Sequence, residues 1–543
     1  MKKNHIMKTK YIWLFLLFLG IIACSDDDDN NGPEVVPLPE LSAGNANFSN
    51  FVSIGNSLTA GFTDNALFIA GQENSFPNLM AQRFSLLGGG SFTQPLMADN
   101  FGGMTFGGNR ILEPRLVFNG SGPAGIESLI GPITPGTEVT NVLSGPFNNM
   151  GVPGLRSFQV TFNGLGNLAG LQAVPMTANP YYVRMASSPG ASILEDALAQ
   201  NPTFVSLWIG NNDVLGFATA GGDQALDAIT SQNIFDASVE GIINAISNSG
   251  AQAVVANIPD VTSIAFLNTV PFAPLSPENP AFGPQIPTLN GIFGMLNGVY
   301  EALQMPNRSI VFATDAASPV VIVDEDLPDI SAQLVPILAN NPDFALFVQG
   351  LGLPAAAVPQ VAGLLGTTYG QTRQATENDL LTLTSLPVIG TVDTDRVAFL
   401  MGQGLPAELA AQFSAQGITL PLADRFVLIP SEREAIQRAT ASFNTTIQAA
   451  AEAAGFAFVD ANTILSTLEA DRPSSEGFTL TADLVTGGTF SLDGVHPTGR
   501  GYAFIANEFL RAIDATYGSN FEAAGQLYSL ADFPVVFPAN LQQ

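Results

Sequence analysis

An α/β fold built on a parallel sheet is predicted from three observations. Short apolar runs alternate with helix-like stretches toward both ends of the chain. The clearest of those runs stop at Gly, Asn, Asp or Pro, as strands do where they turn into helices. Between these regions lies a long stretch that breaks the rhythm.

In chain order, Phe51, Val52, Ser53 and Ile54 form a short buried-strand pattern that runs into Gly55-Asn56-Ser57-Leu58, a strand-to-helix turn. Residues 84–145, with paired glycines such as Gly102-Gly103 and Gly107-Gly108, read as inserted loops and short strands. Residues 146–154 read as a strand end and loop closing on Gly154, and residues 191–200 have helical character. Residues 202–209, carrying Phe204, Val205, Leu207 and Trp208, form a strand stopped by Gly210-Asn211-Asn212-Asp213. Residues 234–249 suit a helix with Ile242, Ile243 and Ile246 on one side, and residues 251–258 the next strand. Residues 432–455 form a long amphipathic helix with Ser431 as its expected N-cap. A strand over 456–459 and a helix over 501–516 follow. Residues 262–425 are rich in Pro, Leu, Phe and Ala, and form an apolar insertion or cap.

The expected organisation is therefore a signal peptide over 1–23 and a tether over 24–46. A first core part spans 47–261, the insertion 262–425, a second core part 426–517, and a C-terminal extension 518–543. Lys2, Lys3, Lys8 and Lys10 precede an apolar stretch over 11–23, too short to span a bilayer as a helix. Ile21-Ile22-Ala23-Cys24 resembles a bacterial lipobox, which implies lipidation of Cys24 and a membrane anchor through it. The run Asp26-Asp27-Asp28-Asp29 reads as a solvated spacer. It also resembles the acidic surface-export tag of Bacteroidetes lipoproteins, which implies an outer-membrane, cell-surface location.

Charge and composition then narrow the chemistry. Loss of the signal removes all four lysines from the 18 cations, leaving 14 arginines against 47 acids and a formal charge near −33. Nucleic acid is not an expected partner of such a surface. With no lysine, Schiff-base catalysis, a Ser–Lys dyad and a phosphate-loop lysine are excluded. With Cys24 acylated, thiol nucleophiles and Cys-based metal sites are excluded too. No EF-hand-like spacing is present, and no metal or cofactor is expected. Hydroxyls, carboxylates and one imidazole remain: of the two histidines, His5 lies in the signal and His496 is left as the neutral-pH base.

Four separated segments fit one chemistry. Ser57 lies at the end of the first strand, where open α/β sheets bind ligands. Gly154 offers an unobstructed backbone N–H, Asn212 a side-chain amide, and Asp493-Gly494-Val495-His496 a carboxylate and a base on one loop. Alone, each has an ordinary reading: Ser57 and Gly154 as turn residues, Asn212 and Asp213 as helix caps. Together, and in this order, they resemble blocks I, II, III and V of the SGNH (GDSL-type) hydrolases. That resemblance implies a flavodoxin-like three-layer sandwich and carboxylic-ester hydrolysis through a Ser57–His496–Asp493 triad and an acyl-enzyme. It also implies an oxyanion hole made by Ser57, Gly154 and Asn212, the following helix adding its dipole. The family's block I aspartate is Asn56 here, a position without a proton-transfer role. The expected partner is an acyl ester, of a lipid or another acyl compound. Glycan O-acetyl esters, or a surface binding lipoprotein without turnover, are the alternatives.

Secondary signals are weaker. Gly164-Leu165-Gly166 and Gly350-Leu351-Gly352 hint at nucleotide loops but lack the full fingerprint. Asp260 is expected to cap a helix or loop, and Arg156 and Arg184 to form surface ion pairs rather than bind an anion. The insertion's Phe266, Phe272, Phe282, Phe293, Phe344 and Phe347 suit either an acyl-binding lid or the core of an accessory domain.

Overall fold

The computed structural model describes residues 37–475 and 477–541. The expected signal segment, Cys24 and the acidic run lie outside the described residues. The whole sheet lies in one compact unit, Glu40–Gln543. Among the described residues no single helix is long and apolar enough to cross a membrane.

Five parallel strands make the central sheet: β1 (Phe51–Gly55), β2 (Asn149–Gly151), β3 (Phe204–Trp208), β4 (Gln252–Ala256) and β5 (Ala457–Val459). Their spatial order is β5-β4-β3-β1-β2. The order reverses at β1, so β1 and β3 are neighbours whose connections leave in opposite directions. Open sheets form ligand crevices at the carboxyl ends of strands at such a point.

Strand alternation divides the apolar side chains between two faces. Val52, Ile54, Val205, Leu207, Ala253 and Val255 share one core. Phe51, Phe204, Trp208, Val254, Ala256 and Val459 share another. That second face is covered by α2 (Phe76–Ser85) and α6 (Gly499–Tyr517). The first is covered by α4 (Gln232–Asn248) and α5 (Pro430–Ala453), joined where Phe235 stacks on Phe443 at 3.8 Å. The result is an α/β fold with helices on both faces of a parallel sheet. Two short helices, α1 (Ser57–Ala60) and α3 (Asn212–Thr219), leave the ends of β1 and β3 toward the site.

Several local expectations need correction. Ser431 does not cap α5: Ile429 holds that position, Pro430 opens the helix, and the Glu432 carboxylate accepts the Ile429 N–H at 2.9 Å. Proline is favoured in a first turn, where its missing N–H costs nothing. The tether ends earlier than 46. Ser42 donates to Asn520 Oδ1 at 2.7 Å and Asn45 to the Tyr517 carbonyl at 2.8 Å, which fixes this stretch to the end of α6. The C-terminal extension is also built in, with Phe521, Leu530 and Phe537 buried.

The insertion has its own apolar core, which contains Phe282, Phe293 and Phe344 and reaches beyond residue 425 to Ile429. Phe272 and Phe347 pack against it. These phenylalanines therefore pack an accessory core. Phe266 differs: it packs against the main core, and its N–H donates to the Gly494 carbonyl at 2.8 Å.

Candidate active site

The turn after β1 has little freedom. A side chain at Gly55 would meet Thr59 Oγ1 at 2.1 Å and the Trp208 carbonyl at 2.5 Å, so only glycine lets the chain turn there. Asn56 then caps α1, its Oδ1 accepting the Leu58 N–H at 3.0 Å. Ser57 is the first residue of that helix. At one turn long, α1 adds less dipole than the sequence suggests; what it offers is the Ser57 N–H itself.

The candidate base, His496, arrives on a tight loop. Gly494 (φ +73) donates to the Ser491 carbonyl at 2.9 Å, and Ser491 donates to the His496 carbonyl at 2.7 Å. The Asp493 carboxylate folds back over its own loop, Oδ1 accepting the Val495 and His496 N–H groups, both at 2.8 Å. Its Oδ2 lies 2.9 Å from His496 Nδ1, and His496 Nε2 lies 2.9 Å from Ser57 Oγ. With Nδ1–H donating to Asp493, Nε2 is left to accept the serine proton. The His496 side chain is 14 % exposed and that of Asp493 8 %, so the relay is shielded yet reachable. Burial pushes the Asp493 carboxyl up, but the His496 charge and the hydrogen bonds outweigh it and hold it below its usual value.

A second loop, not legible in the sequence, completes this support. Asp64 and Asn65 both adopt positive φ (50° and 62°), which Asp and Asn tolerate better than most residues. The Asn65 N–H donates to Asp493 Oδ2 at 2.8 Å. Asp64 donates its N–H to Ser491 Oγ at 3.0 Å and accepts the Leu492 N–H at 3.2 Å, latching the loop that carries the base. Its other oxygen is buried without a partner. Burial, reinforced by the Asp493 charge and opposed by the Leu492 N–H and Arg115, pushes Asp64 up to about 7. Phe62 tilts over the His496 ring at 4.6 Å, and Tyr502 donates to the Phe62 carbonyl at 2.7 Å. A turn-forming Asp-Asn pair soon after Ser57 was the one available signal, and it says nothing about reaching Asp493.

The expected oxyanion donors sit on neighbouring strand ends. Gly55 pairs with Gly151 on one side and Trp208 on the other, so the segments carrying Ser57, Gly154 and Asn212 emerge side by side. Gly154 has φ +79, and a side chain there would project into open space. Asn212 Nδ2 donates one hydrogen to the Leu155 carbonyl at 2.9 Å, tying α3 to the Gly154 loop and leaving its second hydrogen available. Asp213 adds a further tie, accepting the Ser157 N–H at 2.9 Å and hydroxyl at 2.8 Å.

Outside this constellation, Arg156 pairs with Asp227 as expected. Arg184 does not form a surface pair. It is 3 % exposed and donates to the Leu96 carbonyl at 2.8 Å and Met97 Sδ at 3.1 Å, because the inserted segment closes over it. Asp260 caps a short turn through Thr262 and Ser263. Gly350 ends a helix, and Gly164 lies in a turn, so neither glycine pair forms a strand–turn–helix phosphate loop. Glu325, Asp424 and Glu432 bring carboxylate oxygens within 4.8 Å of one another, a grouping of the kind that can hold a metal ion. Burial together with the neighbouring acids raises Asp424 to about 7 and Glu432 to about 9. Comparisons of the chain with protein-family models, curated proteins and solved structures find no match.

Proposed function

We propose that this protein is a serine ester hydrolase of the SGNH type, exported and held at the cell surface by a lipid on Cys24. The observation that carries the catalytic reading is the continuous relay from Ser57 Oγ to His496 Nε2, and from His496 Nδ1 to Asp493 Oδ2, each step 2.9 Å. The strand order and the reversal at β1 support the SGNH fold. The anchor rests on the lipobox-like Ile21-Ile22-Ala23-Cys24.

In this mechanism Ser57 Oγ attacks the ester carbonyl carbon as His496 Nε2 takes the hydroxyl proton. The carbonyl oxygen becomes an oxyanion held by the Ser57 N–H, the Gly154 N–H and the free Asn212 amide hydrogen. The carbon–oxygen bond to the alcohol breaks, and His496 passes its proton to the departing alkoxide. Water then attacks the acyl-enzyme, again losing a proton to His496. Collapse frees the carboxylic acid and returns the proton to Ser57. Asp493 keeps the ring in the productive tautomer and stabilises the imidazolium.

A fluorophosphonate probe tests the reading. The wild-type chain is expected to label covalently and Ser57→Ala not to label. A folded wild type that stays unlabelled and hydrolyses no nitrophenyl ester would refute it.

A further inference from the structure

An apolar cavity of about 100 Å³ is lined by chain neighbours of Ser57 and His496. Leu58, directly after Ser57, lines it together with Val495 and Pro497, which flank His496. Ala461, Ile464 and Phe504 supply another part of its wall. Of its polar lining groups, Trp208 donates to the Asn257 carbonyl at 2.9 Å and Glu508 pairs with Arg511, while the Thr489 hydroxyl alone is buried without a partner. Water entering this space would find few hydrogen-bond partners, and a cavity of that kind favours an apolar occupant.

We propose that this cavity holds the acyl chain of the ester, and that it selects short chains of about four carbons. The proposal rests on the hydrolase reading above. Its size argument is a comparison: an apolar cavity of about 150 Å³ accommodates benzene, with six carbons, so about 100 Å³ suits roughly four. The choice of acyl chain over alcohol follows from the order of events. The acyl group stays on Ser57 through both half-reactions, so a dry recess can hold it throughout. The alcohol must leave and be replaced by water at His496 Nε2, which a dry recess would hinder. The cavity also lies toward β5 and α6, whereas Gly154 follows β2 on the opposite side of β1. A chain in it therefore points away from the Gly154 N–H.

The test uses the full chain and nitrophenyl esters from acetate to octanoate, with fluorophosphonate labelling alongside. Butyrate is expected to exceed acetate in kcat/KM by roughly a hundredfold, since it adds two methylenes and each in an apolar pocket is worth about tenfold or more. Octanoate should fall below butyrate. Ala461→Leu, which fills the cavity, should lower the butyrate-to-acetate ratio by about tenfold. Ile464→Ala, which enlarges it, should move the optimum to hexanoate, so the proposal does not depend on one variant folding. A labelled enzyme with a flat chain-length profile would overturn it. So would unchanged ratios in both folded variants, or a preference that follows the alcohol's length at fixed acyl group. These outcomes would leave the hydrolase reading intact. An unlabelled wild type inactive on every ester would bring down both.

Discussion

Replacing Asp493 by asparagine tests the relay most directly, because the structure dictates how the amide must sit. Asp493 accepts four hydrogen bonds: Val495 and His496 N–H groups at Oδ1, and the Asn65 N–H and His496 Nδ1 at Oδ2. An amide nitrogen in the Oδ1 position would face two backbone donors. In the Oδ2 position it faces only the Asn65 N–H, because the histidine ring can change tautomer. The second arrangement is favoured, and it puts the proton on Nε2, where it can no longer accept from Ser57. Loss of the productive tautomer in serine triads lowers kcat on the order of 10⁴-fold, about 5.5 kcal/mol. The donor–donor contact should also cost roughly 1–3 kcal/mol of stability. The sign of the pH effect follows from the depressed Asp493 pKa. Its stabilising contribution is present above the usual carboxyl value and is lost as pH falls through the lower folded value. The gap in Tm between wild type and Asp493→Asn should thus hold from pH 8 to 5 and narrow only below about pH 4. Steady-state hydrolysis of a nitrophenyl ester at pH 8, with thermal unfolding of both proteins, gives the readout. A well-folded Asp493→Asn that kept more than about a tenth of wild-type kcat would refute this reasoning.

Asn212→Ala removes one proposed oxyanion donor and should lower kcat by roughly 10²–10³-fold with little change in KM; a loss smaller than about threefold would exclude Asn212 from the oxyanion hole. Asp64 has a raised folded pKa, so its contribution is present at low pH and lost as pH rises from about 4 to about 7. Asp64→Asn should therefore gain stability relative to wild type across that window, by up to roughly 3–4 kcal/mol, and a Tm difference independent of pH would contradict this. For Glu432, raised to about 9, the loss runs from the usual glutamate range up to that value. Glu432→Gln keeps an acceptor for the Ile429 N–H and should stabilise the fold at pH 8 by about 1 kcal/mol, discounted for solvent screening, with less effect at pH 5. Thermal unfolding at the two pH values decides it.

Much of the framework was legible because its signals are local. The run ending at Gly55, the strands through Trp208 and Ala256, and the long helix before β5 all follow from apolar periodicity and turn residues within a single window. The Asp493–His496 pair is equally local, since three residues of tight loop suffice to bring carboxylate and ring together. Other features depend on packing between segments far apart in the chain. Ser57 and His496 are 439 residues apart, and only the strand order and the seating of α6 on the sheet bring them within 2.9 Å. The Asn65 N–H on Asp493, the burial of Arg184 and the docking of Ser42 and Asn45 onto the end of α6 are of the same kind. A residue type and its neighbours express a preference for strand, helix or turn. Which distant backbone group will satisfy a carboxylate, or which segment will close over an arginine, is decided when the layers pack and exclude water. The sequence alone therefore named the candidate reacting side chains, while the tertiary structure determined the supports that hold them in line.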